Sequence, residues 1–302
     1  MKLRILGTSS AFPTRTRNHT ANLLNYSGES LLFDCGEGTQ RQLRISNENP
    51  QKITKIFISH WHGDHVLGLP GLLQSMGMNR RTSRLEIYGP IGTKKKLTAI
   101  MKAYESDRLS YKLDIKELTP KKVTTVFEND DYSVSAVLLS HPIPCLGYAF
   151  EEKEKLRVDT NILSELGVKT KHPSLRDLTM KKDIVIDGKK ISWKKTTYAK
   201  SGKKFAVTID TAYCDQIVDL AKNADVFLCE ATFSNKIKNS AEKGGHMTTK
   251  EAAKLGKRAK VNHLVLTHFS QRYRSTKELE SEAKSVFKGK LSMARDFMEV
   301  KF

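Results

Sequence analysis

The sequence predicts an α/β fold, and three observations carry that prediction. Short apolar, β-branched runs alternate with glycine-rich turns over residues 1–150, and strand-like and helix-like runs alternate again over 205–302. Four of these runs end in an imidazole or a carboxylate. Ile56-Phe57-Ile58-Ser59 runs into His60, Val137-Leu138-Leu139-Ser140 into His141, Ala206-Val207-Thr208-Ile209 into Asp210 and Leu264-Val265-Leu266-Thr267 into His268. Buried strands of a helix-covered sheet read as such runs, and functional side chains gather where they end. Finally, Thr248-Thr249-Lys250-Glu251 and Ser275-Thr276-Lys277-Glu278 each carry the capping-box pattern that starts a helix.

A chain of 302 residues suits one large α/β domain or two modest ones. It can bury roughly three quarters of its extended surface, so it needs no disulfide staples. The four cysteines, Cys35, Cys145, Cys214 and Cys229, form no Cys-x-x-Cys pair. They read as packing residues in a reducing, cytoplasmic compartment. No apolar run approaches the ~20 residues of a membrane span, so the chain is not expected to sit in a membrane. Hydrophobic residues at 38% and aromatics at 8% place the chain among globular rather than disordered proteins. With 52 Lys+Arg against 33 Asp+Glu the net charge is +19, which favours a polyanionic partner: nucleic acid, an anionic membrane or a phosphorylated substrate.

The elements follow in order. Leu3-Arg4-Ile5-Leu6 opens the chain as a first strand, too short for a signal peptide. Residues 151–204 differ in texture, with 15 Lys+Arg against 8 Asp+Glu, and the stretch 188–204 holds seven lysines and no acid. A short helix there is capped by Asp159 or Thr160 and ended by Gly167. Beyond it come a strand at Phe205–Ile209, a strand at Asp225–Glu230, a helix, a strand at His263–Thr267 and a last helix.

The chemistry concentrates in His60-Trp61-His62-Gly63-Asp64-His65. In an extended chain His60 and His62 point to one side, and Gly63 lets the chain turn so that Asp64 and His65 reach a second centre. Three imidazoles and a carboxylate this close would be costly to bury without a cation. Zinc suits nitrogen and oxygen donors without thiolate. One ion is assigned to His60, His62 and His141, a second to Asp64, His65 and His268, with Asp210 bridging. Two such ions suit metal-assisted hydrolysis of a phosphodiester.

At this point the sequence resembles a known family. His-x-His-x-Asp-His with distant His, Asp and His is the metallo-β-lactamase signature. The segments Phe33-Asp34-Cys35-Gly36-Glu37-Gly38-Thr39-Gln40-Arg41-Gln42, Cys229-Glu230-Ala231-Thr232-Phe233, Gly245-His246-Met247-Thr248 and His268-Phe269-Ser270-Gln271-Arg272-Tyr273 resemble the ribonuclease Z family over nearly the whole chain. The resemblance implies an αββα sandwich of two mixed sheets with outer helices, as a single domain over 1–302. It also implies an inserted basic tRNA-binding arm at about 151–182. Two departures stand out: the family's Gly-Pro-rich arm tip is replaced by Lys171-His172-Pro173-Ser174, and the usual His before Glu230 is Cys229.

The implied activity is a zinc-dependent endoribonuclease with two Zn²⁺ per subunit. It would remove the 3′ trailer of precursor tRNA by attack of a metal-bridging hydroxide, leaving a 3′-hydroxyl on the tRNA and a 5′-phosphate on the trailer. Asp64 would serve as ligand and general base, and His246, oriented by Glu230, would protonate the leaving oxygen. A homodimer is also implied, one subunit's arm serving the other's site.

Arg15, Arg17, Arg272 and Tyr273 are candidates for phosphate and base contacts. Lys189, Lys190, Lys194, Lys195, Lys200, Lys203 and Lys204, with Trp193 and Tyr198, are candidates for the RNA backbone. His19, His172 and His263 read as non-ligands. Gly36 and Gly38 read as turn residues, because no Gly-x-x-x-x-Gly-Lys pattern follows. Two rival readings remain: a small-substrate hydrolase of the same superfamily, and a non-catalytic RNA- or metal-binding module.

Overall fold

The computed structural model describes all residues, Met1–Phe302. The chain divides into two compact units: residues 1–128, 134–150 and 204–302 form the first, and residues 129–133 and 151–203 the second.

Two seven-stranded sheets organise the chain. The first runs Glu299–Lys301, Lys2–Gly7, Ala21–Tyr26, Glu29–Phe33, Ile53–Phe57, Leu85–Pro90, Leu113–Leu118. It is mixed, antiparallel as far as Glu29–Phe33 and parallel beyond. The second runs Lys290–Met293, His263–Thr267, Val226–Glu230, Lys204–Thr208, Leu146–Glu152, Tyr132–Leu138, Thr124–Glu128. Its first four strands are parallel, and helices Gln216–Ala221, Thr249–Arg258 and Lys277–Val286 make the crossovers that parallel pairing demands. Val226–Glu230 and His263–Thr267 are buried at every residue, which is why they read as continuous apolar runs.

The sheets meet face to face through aromatic rings. Phe33 stacks on Phe57 at 5.1 Å and Phe57 on Tyr88 at 4.9 Å, and from the other sheet Tyr148 and Phe205 close on them at 5.2 and 5.4 Å. On its outer face the first sheet packs Leu6, Leu23, Leu32 and Ile56 against Leu69, Leu72, Leu73 and Met76 of helix Leu69–Met78. The arrangement is the αββα sandwich.

Thr248 caps helix Thr249–Arg258 with a full capping box: its side chain accepts from the Glu251 N–H, and the Glu251 carboxylate accepts from the Thr248 N–H. Thr248→Ala is expected to destabilise the protein by about 1 kcal/mol, read as a lower denaturant midpoint. The second expected box does not form. Helix Lys277–Val286 starts after Thr276, one residue past Ser275, without a side-chain cap, and the Glu278 carboxylate pairs with Lys236 at 2.8 Å.

Taken by itself, the second unit has a small core of Leu163, Leu178, Ile186 and Ile191, with Val158 and Trp193 packed against it. Trp193 is thereby a packing residue, whereas Tyr198 stays half exposed. Asp159 caps helix Thr160–Glu165, and Gly167 follows it in the left-handed region. The hairpin Ile184–Ile186/Lys189–Ile191 turns through Asp187 and Gly188, both with positive φ, as a tight primed turn requires. The unit extends to residue 203, where Lys155–Val158 pairs with Thr197–Lys200 and closes it. Lys204 belongs to the first unit, where it begins a strand of the second sheet.

Candidate metal centre

All four apolar runs fold as strands, and each carries its imidazole or carboxylate one to three residues past its end. Pairing across the two sheets brings those ends together. His60, His62, His141 and Asp210 form one group whose ligand atoms lie within 4.8 Å of one another, and Asp64, His65, Asp210 and His268 form a second. Asp210 is common to both.

The ring nitrogens turned away from the groups are occupied. Asp34 accepts from His65 Nδ1 at 2.9 Å and also from the Ser59 N–H and hydroxyl at 2.7 and 2.8 Å. The Ser59 hydroxyl, its proton given to Asp34, accepts from His60 Nδ1 at 3.0 Å. The Gly245 carbonyl accepts from His141 Nδ1 at 3.1 Å. Thr232 donates to Glu230 at 2.7 Å and accepts from His268 Nδ1 at 3.1 Å. Each bond orients its ring and, in the neutral imidazole that a metal ion selects, leaves the inward nitrogen's lone pair free for that ion.

Those inward atoms face one another without satisfaction. His60 Nε2 lies 2.9 Å and His141 Nε2 3.3 Å from His62 Nδ1. His65 Nε2, His268 Nε2 and Asp210 Oδ1 are buried with no hydrogen-bond partner. Buried lone pairs converging in this way need a cation. The donors are imidazole nitrogens and carboxylate oxygens, a set that suits zinc.

The electrostatics are consistent with that need. Burial and the neighbouring His65 hold His60 well below the ordinary histidine range. Burial alone would raise the Asp210 and Asp64 carboxylates, but His268 and His65 outweigh it and hold both well below the usual carboxylate range. Asp64 Oδ2 accepts the Ala11 N–H at 2.9 Å and lies 3.3 Å from His65 Nε2.

His246 stands beside the second group, its ring 5.7 Å from those of His268 and His141. Its Nδ1 is 3.4 Å from Glu230 Oε1. Glu230 is fully buried and also accepts from the Thr211 and Met247 N–H groups. Burial would lower the His246 pKa, but the Glu230 charge prevails and raises it above the ordinary value.

Around the site, Arg15, Arg17 and Tyr273 line one cavity of about 630 Å³ with Arg274. Arg17 donates to the Tyr273 carbonyl and lies over Phe269. Arg272 lies outside that cavity, its guanidinium 4.9 Å over the Phe233 ring. The three remaining histidines have other partners: His19 the Ala11 carbonyl, His172 the Ser174 N–H and His263 the Ser292 hydroxyl. Three cysteines are buried, Cys214 half-buried, and all four are free thiols. Gly38 is in the left-handed region at φ 78°, as its turn requires, while Gly36 serves closeness: a Cβ there would sit 2.2 Å from the Asp64 carbonyl.

Sequence reasoning missed Asp34, Ser59 and Thr232. For Asp34 a signal existed, since Leu31-Leu32-Phe33 running into Asp34 is a fifth instance of the strand-end pattern. Asp34→Asn is expected to weaken metal binding about 10- to 100-fold, measured by chelator competition, because one amide oxygen cannot accept the bonds of two carboxylate oxygens.

A family model described as "Anti-Pycsar protein Apyc1" matches residues 1–180. The chain is 38% identical to a "Ribonuclease Z" of Methanothermobacter thermautotrophicus over 95% of this chain and 92% of that one. It is 40% identical to a "Ribonuclease BN" of Citrobacter koseri over 98% of both. Among solved structures it is similar to human tRNase Z, short form, with a TM-score of 0.74 and 29% identity over 100% of this chain and 99% of that one. It shares its fold with the metallo-β-lactamase fold protein YhfI of Bacillus subtilis, with a TM-score of 0.69 and 20% identity over 99% and 98%.

Proposed function

The chain belongs to the ribonuclease Z family of tRNA 3′-processing endonucleases and, through residues 1–180, to the family of the anti-Pycsar protein Apyc1, and from that premise we propose how its residues perform trailer removal. The ribonuclease Z relationship carries the function because it spans the whole chain. The Apyc1 match ends short of Asp210, His246 and His268.

Our reading assigns two zinc ions to each subunit. His60, His62 and His141 hold one, Asp64, His65 and His268 the other, and Asp210 serves both. When bound, zinc supplies Lewis acidity, acidifying water and neutralising charge on the phosphate oxygens. Asp64, kept ionised, accepts the proton of the attacking water. His246, oriented by Glu230, whose charge raises its pKa, gives its proton to the departing 3′-oxygen. The tRNA then ends in a 3′-hydroxyl and the trailer begins with a 5′-phosphate. Arg15, Arg17, Arg272 and Tyr273 bind the RNA near the cut. The placement of the His246–Glu230 pair beside two ligand groups joined through Asp210 carries this reading.

The basic second unit is assigned as the arm that grips precursor tRNA. A homodimer follows from the family resemblance and is checked by light scattering. A cytoplasmic location fits a tRNA substrate and four free thiols.

End-labelled precursor tRNA incubated with the protein tests the activity. A single cut with the stated ends, abolished by a chelator and restored by zinc, is expected. Hydrolysis of a small phosphodiester with precursor tRNA left intact would instead establish the small-substrate reading.

A further inference from the structure

Of the twelve phenylalanines, eleven are buried or half-buried and one, Phe12, is exposed, at 59%. An exposed aromatic ring is unremarkable on a mobile loop. This one is on a loop held rigidly against the catalytic carboxylate. The preceding residue, Ala11, donates its N–H to Asp64 Oδ2 at 2.9 Å, and its carbonyl meets His19 Nε2 at 3.3 Å. Ala11 is held in the left-handed region at φ 55°, which a non-glycine residue adopts only where its surroundings impose it. Phe12 itself is pinned from both sides of its peptide. Its N–H donates to the Ser10 carbonyl at 2.6 Å and its carbonyl accepts from the Ser9 hydroxyl. Ser9 and Ser10 pair in turn with Phe269–Ser270, directly after the ligand His268. Pro13 follows and stiffens the exit.

Reach follows from chain geometry. Ala11 N is 2.9 Å from Asp64 Oδ2, and consecutive Cα atoms are about 3.8 Å apart, so the Phe12 Cα lies within about 8 Å of that carboxylate oxygen. A nucleotide whose phosphate is being attacked beside Asp64 holds its base within such a distance.

We propose that Phe12 is a stacking platform for the base adjoining the scissile phosphate. The inference rests on the endonuclease reading and deepens it. The single-stranded 3′ end of a precursor tRNA offers unstacked bases, and an aromatic face takes any of them, so the platform orients the strand without reading its sequence. The Arg15 and Arg17 side chains three and five residues on supply charge to the same strand, while Phe12 supplies a surface indifferent to salt.

The test uses the full-length zinc-loaded enzyme, three variants and precursor tRNAs with an abasic nucleotide immediately 5′ or 3′ of the cut. Phe12→Ala and Phe12→Leu are expected to lower kcat/KM on intact precursor tRNA by roughly 10- to 100-fold, and Phe12→Trp to retain it. One of the two abasic substrates should depress the wild-type enzyme by a similar factor and leave Phe12→Ala no further penalty. Zinc content and melting temperature should stay at wild-type values, because the ring is exposed and the Ala11–Asp64 bond is made by backbone. An equal penalty for Phe12→Ala on intact and on both abasic substrates overturns the proposal, as does full activity of Phe12→Leu or loss of zinc in either variant. Failure of the wild-type enzyme to cut precursor tRNA at all would instead overturn the endonuclease reading.

Discussion

His246→Ala is expected to lower kcat on precursor tRNA by about 10²–10⁴-fold while both zinc equivalents remain bound. The imidazole belongs to neither set assigned to zinc, so removing it should spare the ions while taking away the proton donor that Glu230 orients toward the departing 3′-oxygen. The pH profile separates this role from mere packing. A general acid acts in its protonated form, so turnover falls as pH rises through its pKa. Glu230 raises the pKa of His246 above the ordinary histidine value, so the alkaline limb should lie above that value in the wild-type enzyme. Glu230→Gln removes the charge that raises it and should move the limb to lower pH. His246→Ala should abolish the limb. A variant with zinc retained and turnover intact would refute the assignment. Because Glu230 also holds Thr232, and through it His268, Glu230→Gln is expected to loosen the second ion as well.

Excising the second unit should separate binding from chemistry. Lys155 and Lys200 are register partners, so their Cα atoms are about 5 Å apart and a short glycine linker can replace residues between them. The stub retains the Glu152 N–H to Lys203 carbonyl bond, which keeps its base closed. Affinity for precursor tRNA is expected to fall by roughly 10- to 100-fold, and the dependence of log Kobs on log salt to flatten, since released counterions set that slope. Hydrolysis of a small phosphodiester should be spared. Equal losses on both substrates would refute the arm assignment. In the wild-type enzyme, salt should weaken binding of precursor tRNA far more than it slows the small substrate.

The excision also marks a limit of the sequence. Net charge and the lysines of 188–204 point to a basic insertion, for which the family resemblance implies an arm at about 151–182, and the compact unit itself runs to residue 203. Its closing strand, Thr197–Lys200, carries a lysine and no strong alternation, and it is a strand only because Lys155–Val158 lies beside it. Similarly, Ser275-x-x-Glu278 has the letters of a capping box but not its position: the helix begins one residue later, after Thr276, and the Glu278 carboxylate pairs with Lys236. Thr248 and Asp159 cap as written.

What the sequence carries by itself is the donor chemistry we propose: the imidazoles and carboxylates of His60, His62, Asp64, His65, His141, Asp210 and His268 stand at or shortly after the ends of runs that must be buried. Ligand identity is a local property. Tertiary structure decided how those donors converge. Asp210 belongs to both groups only because its strand lies next to the one ending at Glu230, and because Asp210 and His268 take left-handed backbone at φ 54° and 60° that turns them inward. Asp34, at φ 58°, closes the set by fixing His65 and, through Ser59, His60. Aspartate and histidine adopt such conformations more readily than most residues, but which of them do so is decided by long-range packing.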